Sequence, residues 1–74
     1  MSEQRLATRL ETEREMLLLR LTGLRDNARQ KPGYKTALRL LNPMFRRADL
    51  AARAAILQAA TFMIDVLEMM PPLL

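Results

Sequence analysis

Two glutamates come nearest to a catalytic pair in this 74-residue chain. Glu11 and Glu15 are four residues apart, which places both carboxylates on one face of a helix, where they could exchange protons with a substrate. The chain has no His, no Cys and only two Gly residues, so it lacks the usual proton shuttle, soft metal ligands and a Gly-rich phosphate loop. We therefore predict a non-enzymatic protein without cofactor or metal, in which both glutamates belong to an exposed charged surface.

Positive charge is concentrated in the middle of the chain. Residues 20–53 contain nine Lys or Arg against two Asp, although the net charge of the whole chain is only +4. Cations grouped in this way bind acidic protein surfaces or the phosphates of nucleic acids. The candidate partner or nucleic-acid surface consists of Lys31, Lys35, Arg39, Arg46, Arg47 and Arg53.

This basic segment has two candidate ligands, and an ordinary solvated face is the structural alternative. A larger acidic protein is the preferred partner. A nucleic acid is the second candidate, because a short helix followed by a helix with a basic start is the order of elements in a helix-turn-helix. The match is incomplete, since no Gly marks the turn and only Asn42 and Gln58 are suited to base readout. In that case the contacts would come from Arg39, Arg46, Arg47 and Arg53.

A third feature is an apolar repeat in the second half of the chain, of the kind found along coiled-coil contacts. Apolar residues recur there at alternating spacings of three and four, with alanines at the centre. Ile56 and Met63 lie outside this line, so one helix of the same chain cannot cover all of the apolar surface. We predict self-association, with a dimer as first choice. Its contact residues are Phe45, Ala48, Ala52, Ala55, Ala59, Phe62, Val66 and Met69.

Helices must position these features. Ser2 suits an N-cap, and a leucine stripe with spacings of four and seven predicts helix 1 over residues 3–28. Pro32 and Gly33 fit a type II turn within residues 30–34. A short helix over residues 35–41 follows.

The third helix carries the apolar repeat. Asn42 followed by Pro43 is typical of a helix start, which predicts this helix over residues 43–70, with Asp49 as an alternative cap. Pro71 and Pro72 end it before a tail over residues 71–74.

The predicted fold is all-α, with one domain over residues 1–74. It is a helical hairpin or bundle of two long helices, with a short helix in the connection, completed by dimerisation. We expect no membrane span, because the longest uncharged run of the second half, residues 54–64, is far shorter than the roughly 20 residues needed. The start is charged from Glu3 onward and has no signal-peptide pattern, so a cytoplasmic location is expected.

Overall fold

The computed structural model describes residues 2–72, and these residues are almost entirely helical, which confirms the predicted all-α class. The predicted tail residues Leu73 and Leu74 lie outside the described part of the chain. The elements are α1 (Glu3–Thr22), α2 (Asp26–Arg29), α3 (Pro32–Arg39), a π-helical turn (Leu40–Met44), α4 (Phe45–Arg47) and α5 (Leu50–Glu68).

Helix α1 begins at the predicted cap but ends six residues earlier than the sequence predicts. The Ser2 hydroxyl accepts a hydrogen bond from the Arg5 N–H at 3.2 Å. At the other end, the Gly23 N–H donates to the carbonyls of Leu19 and Arg20, which closes the last turn. Arg25 then adopts an extended conformation, with φ −66° and ψ 156°, and α2 starts after it. The backbone conformation of Arg25 therefore separates two helices where one was predicted.

Pro32 begins a helix instead of forming the predicted type II turn. It occupies the first turn of α3, where its missing N–H costs nothing and its fixed φ suits the helix. Gly33 is helical, and no residue within 2–72 has a positive φ. A Cβ atom at Gly33 would lie 3.5 Å from Cγ of Met63, which is an ordinary van der Waals distance, so α3 contacts α5 here with room for a small side chain.

The chain remains helical through Asn42 and Pro43, where the sequence predicts a break. The Phe45 N–H donates to the Leu40 carbonyl, five residues back, which is the wider spacing of a π-helix. This extra width accommodates a proline that would clash with the preceding turn of a regular α-helix.

The long C-terminal helix starts at Leu50, seven residues later than its predicted start at residue 43. Ala48 has an extended conformation with ψ 151°, which ends α4. The Asp49 carboxylate then accepts a hydrogen bond from the Ala52 N–H at 2.8 Å and caps α5. The alternative cap considered from the sequence is therefore the cap that the structure uses.

The three long segments run up, down and up along a molecule of 49 × 17 × 15 Å. Helices α1 and α5 are parallel, because Leu6 and Ala54 line one groove while Arg20 contacts Asp65, farther along both helices. Residues 32–47 run in the opposite direction and pack against both of them. The molecule is thus a three-helix bundle, one long segment more than the predicted hairpin.

The three segments share one hydrophobic core. Helix α5 contributes only one side of its surface to it. The buried apolar residues are Leu10, Leu17, Leu21, Leu24, Ala28, Ala37, Leu41, Phe45, Leu57, Ala60, Ile64 and Leu67.

Candidate interaction surfaces

The side of α5 that points away from the bundle is apolar and exposed. Phe62 is 72% exposed, Val66 48% and Met69 82%. The three alanines that precede them on the same side are also exposed. We call this surface the outer face of α5, and it consists of Ala52, Ala55, Ala59, Phe62, Val66 and Met69.

The outer face contains six of the eight residues predicted from the apolar repeat. Phe45 does not belong to it, because it lies on α4 and is only 1% exposed within the chain's own core. Ala48 is half-buried in the connection between α4 and α5. Both were placed on the same helix as the other six by the predicted start at residue 43, and the later start at Leu50 removes them.

A groove beside the outer face extends the apolar surface toward α1. Its floor is formed by apolar side chains of both helices, including Leu6, Leu57 and Phe62, and it has a volume of about 490 Å³. Arg9 and Glu13 stand on its α1 rim, where they form a long ion pair of 3.7 Å.

Helix α5 is also long and apolar enough, by length and composition alone, to cross a membrane. Only 22% of its most apolar stretch is buried within the chain. One such helix is weak evidence for a span, because helices that pack against other protein surfaces meet the same criteria.

Five of the six predicted basic residues are exposed along residues 31–47. Lys35 and Arg39 are four residues apart and therefore lie on one side of α3, and Lys31 precedes the helix as its N-cap residue. Arg46 and Arg47 follow on α4. Residues 27–48 contain no Asp or Glu, and within the described chain none of these five side chains forms an ion pair. We call Lys31, Lys35, Arg39, Arg46 and Arg47 the basic surface.

Arg53, the sixth predicted basic residue, has a structural role. It is half-buried, and its Nε donates to the Phe45 carbonyl at 2.9 Å. A second donor reaches the Arg46 carbonyl at 3.4 Å, and the guanidinium lies 4.8 Å from the centre of the Phe45 ring. Arg53 thus binds the free carbonyls at the end of α4 and is a poor candidate for partner contacts.

The sequence interpretation missed the most buried charge, Arg14. Arg14 forms an ion pair with Glu11 at 2.8 Å, as their three-residue spacing on a helix allows, but it is only 7% exposed. Its Nε donates to the Leu41 carbonyl and its Nη2 to the Asn42 side chain at 2.7 Å. The signal was present, because Arg14 occupies the missing position of the leucine stripe between Leu10 and Leu17.

Near the C-terminal end of α5, an arginine of α1 binds two carboxylates of α5. Arg20 donates to Asp65 and to Glu68 at 2.6 Å each. The hydrogen bonds from Glu68 and Asp65 raise the pKa of Arg20 still further above its ordinary high value, so it stays charged at all accessible pH values. Two carboxylates share one guanidinium, so the formal charges of these three groups sum to −1.

The candidate catalytic pair is not assembled as a site. Glu11 is engaged by Arg14, and Glu15 is exposed on α1 without a described hydrogen-bond partner. Within residues 2–72, no three Asp or Glu side chains are grouped closely enough to hold a metal ion.

The fold and the surfaces define the class of this protein. It is a small three-helix bundle in which one apolar face of α5 is exposed and the basic surface is separate from it. Comparison of the chain with protein-family models, with curated proteins and with solved structures finds no match. Its function must therefore be argued from these two surfaces.

Proposed function

We propose that this protein is a small non-enzymatic interaction protein that forms a dimer through α5 and binds a larger acidic protein through its basic surface. The observation that carries the proposal is the outer face of α5, where Phe62 and Met69 are 72% and 82% exposed. The basic surface supplies the second contact, and its residues are on a different helical segment.

The size and continuity of the outer face support an interface. Its six residues extend from Ala52 to Met69, which corresponds to about 25 Å along a helix that rises 1.5 Å per residue. Scattered exposed apolar residues are normal, but a continuous apolar patch of this kind marks a surface that another molecule covers.

The charges near α5 favour a protein cover over a lipid one. Asp65 and Glu68 hold α1 through Arg20, and Arg53 is bonded to the end of α4. Insertion of α5 into a bilayer would require these groups to lose either water or their partners, which costs several kcal/mol per charge. Another protein surface covers the outer face without disturbing them.

The basic surface fits an acidic protein better than a specific nucleic-acid site. The Asn42 side chain, which could read a base, is half-buried and accepts its hydrogen bond from Arg14. Gln58 lines the groove between α1 and α5, and Tyr34 is half-buried, so neither base readout nor stacking has a free side chain on the basic surface. Phosphate contacts alone would give binding without sequence preference.

Sedimentation equilibrium tests the first half of the proposal. We expect a mass of about 17 kDa, twice the 8.5 kDa of the chain, at micromolar concentration. A mass that stays at 8.5 kDa throughout this range would refute the dimer.

A charge-reversal pair tests the second half. Arg46→Glu with Arg47→Glu should abolish capture of acidic proteins from the source cell, because it changes the charge of one end of the basic surface by −4. The matched control is Arg5→Glu with Arg25→Glu, which makes the same change at exposed positions outside the basic surface and should retain capture. Equal capture by both double variants would place the partner site elsewhere.

The nucleic-acid alternative rests on the absence of carboxylates among residues 27–48, which leaves five cations open to phosphates. Gel shifts with duplex DNA and with RNA at increasing salt measure it. If about four phosphates are neutralised, log K should fall with a slope of about −4 against log salt. Such a slope, lost in Arg46→Glu/Arg47→Glu and kept in the control, would replace the acidic protein by a nucleic acid as the ligand.

A further inference from the structure

We infer that the partner on the outer face is a second copy of this chain lying antiparallel, with Ala59 opposite the partner's Phe62. This inference rests on the proposed dimer and adds its direction and register. The six residues of the outer face are spaced 3, 4, 3, 4 and 3, which is the pattern of successive a and d positions in a coiled coil. Their small and large side chains are separated along the helix. This separation determines whether a second copy packs better in the parallel or in the antiparallel direction.

The first half of the outer face is small and the second half is large. Ala52, Ala55 and Ala59 lie in the N-terminal half, and Phe62, Val66 and Met69 in the C-terminal half. A second copy that runs in the opposite direction brings the small half of each helix against the large half of the other. The contact is then evenly filled over its whole length, as close packing requires.

One register pairs all six residues at once. With a two-fold axis between residues 60 and 61, Ala59 faces the partner's Phe62, Ala55 the partner's Val66, and Ala52 the partner's Met69. Each pair joins an a position with a d position, and the same three pairs recur on the other side of the axis. A two-fold interface requires such self-complementarity, in which residue i contacts j and j contacts i.

A parallel dimer does not fill its contact evenly. It places alanines against alanines in one half and Phe62 against the partner's Phe62 in the other. The helices would approach closely at one end and be held apart by large side chains at the other. The space between the alanine halves would then remain unfilled, which forfeits contact energy.

The charges on the α1 side favour the same arrangement. Arg9 stands on the groove rim, 64% exposed, in a part of α1 that lies near Ala54 and Ala55 because α1 and α5 are parallel. The antiparallel register brings that level opposite the partner's Asp65, and the two-fold axis puts the α1 helices of both copies on one side. Asp65 shares the Arg20 guanidinium with Glu68, so its negative charge is only partly balanced within the chain. A parallel dimer would instead bring Asp65 level with the partner's Asp65.

The area available also suits a dimer. Stable interfaces bury about 800 Å² on each partner, which is about one seventh of the 5353 Å² exposed by this chain. The outer face, about 25 Å long, is continued by the flanking groove and the exposed Met16 on α1, so a second copy finds further apolar surface on this side of the molecule.

Cysteine cross-linking tests the register directly, since the natural chain has no Cys. Ala55→Cys and Val66→Cys are prepared separately, one with an N-terminal tag that changes its size, and are oxidised with glutathione disulfide alone and after mixing. The antiparallel register predicts the mixed disulfide dimer as the main product of the mixture. Each variant alone should give little product, because its two cysteines lie about 16 Å apart along the helices.

Sedimentation of the reduced variants separates the outcomes. Disulfides within each single variant and none between the two would establish a parallel dimer and overturn the inference, while the proposed dimer would stand. A dimeric mass without any cross-link would remove the outer face from the interface. A monomeric mass of the wild type would refute the dimer itself. Thr12→Cys, exposed on α1 outside the face, is the control and should cross-link in no mixture.

Discussion

The two faces of α5 show how similar apolar patterns reach different environments. The inner face consists of Leu57, Ala60, Ile64 and Leu67, which are at most 5% exposed. The outer face has the same alternation of three- and four-residue spacings, yet its three large side chains are 48–82% exposed. The difference lies in the number of neighbours, because α1 and residues 32–47 cover only one side of α5. Apolar periodicity therefore identifies contact surfaces without telling which of them are made within the chain.

A large charged side chain on the inner face should have the largest effect. Ala60 is fully buried, so Ala60→Arg would place extra volume and an unpaired charge in the core. We expect a loss of about 3–5 kcal/mol, which is most of the stability of so small a domain. Far-UV circular dichroism at 25 °C should show loss of helix.

The matched variant five residues earlier should behave differently. Ala55 is exposed on the outer face, so Ala55→Arg should leave the helical spectrum intact and yield a folded monomer in sedimentation. Unfolding of Ala55→Arg as well would mean that the bundle does not fold without its partner. An unchanged dimer would move the interface to another surface.

The second prediction concerns the buried charge beside the π-helical turn. Arg14→Ala would leave the carbonyl of the fully buried Leu41 and the side-chain oxygen of the half-buried Asn42 without their donor. At about 1–3 kcal/mol for each unsatisfied group, we expect a loss of about 2–4 kcal/mol in urea unfolding, with the mass in sedimentation unchanged. Arg5→Ala, on the exposed first turn of α1, is the control and should cost less than about 0.5 kcal/mol. A loss of similar size in both variants would contradict the special role of Arg14.

Arg14 also explains why part of the fold was beyond prediction from the sequence. Asn42 followed by Pro43 is a sound local signal for a helix start, and locally nothing contradicts it. The helix continues because a side chain 28 residues away binds Asn42 and a wider turn accommodates Pro43. The wrong prediction of a turn at Pro32 has a different cause. Both a type II turn and a helix start suit the fixed φ of proline, so the residue alone does not distinguish them. Local patterns therefore gave the helical class, while long-range contacts determined where its segments end.

The candidate surfaces show the same difference between features that follow from local spacing and features that depend on distant contacts. The exposed positions of Lys35 and Arg39 follow from their four-residue spacing and charge, and the outer face follows from its heptad spacing. Phe45 and Arg53 were misplaced because both depend on where α4 ends. The division of the outer face into a half with small side chains and a half with large side chains was visible in the sequence. Their significance required the structure, which shows which of the apolar lines of α5 is left uncovered.

The third prediction compares equivalent truncations on the two faces. Phe62→Ala should leave the unfolding free energy of the monomer nearly unchanged, since the ring is 72% exposed there. It should weaken the dimer about 100-fold or more, because the interface covers two such rings and each contributes about 1.5–3 kcal/mol. Dilution followed by sedimentation gives the dissociation constant. Ile64→Ala on the inner face should show the reverse, with a loss of about 2–5 kcal/mol in folding that does not depend on protein concentration.

The smallest effect is expected at the edge between the faces, where Arg20 joins α1 to Asp65 and Glu68. All three side chains are more than one third exposed, so water and salt screen their charges and the pairs contribute little despite their short distances. Arg20→Ala should lower the unfolding free energy by less than about 1 kcal/mol in urea titrations at low salt, and by still less in 1 M NaCl. Arg5→Ala, exposed on the first turn of α1 at the other end of that helix, is the control and should show no salt-dependent difference. A loss for Arg20→Ala that is the same at both salt concentrations would assign its role to the packing of its aliphatic stem against α5, and the charges there would then serve only the contact with a partner.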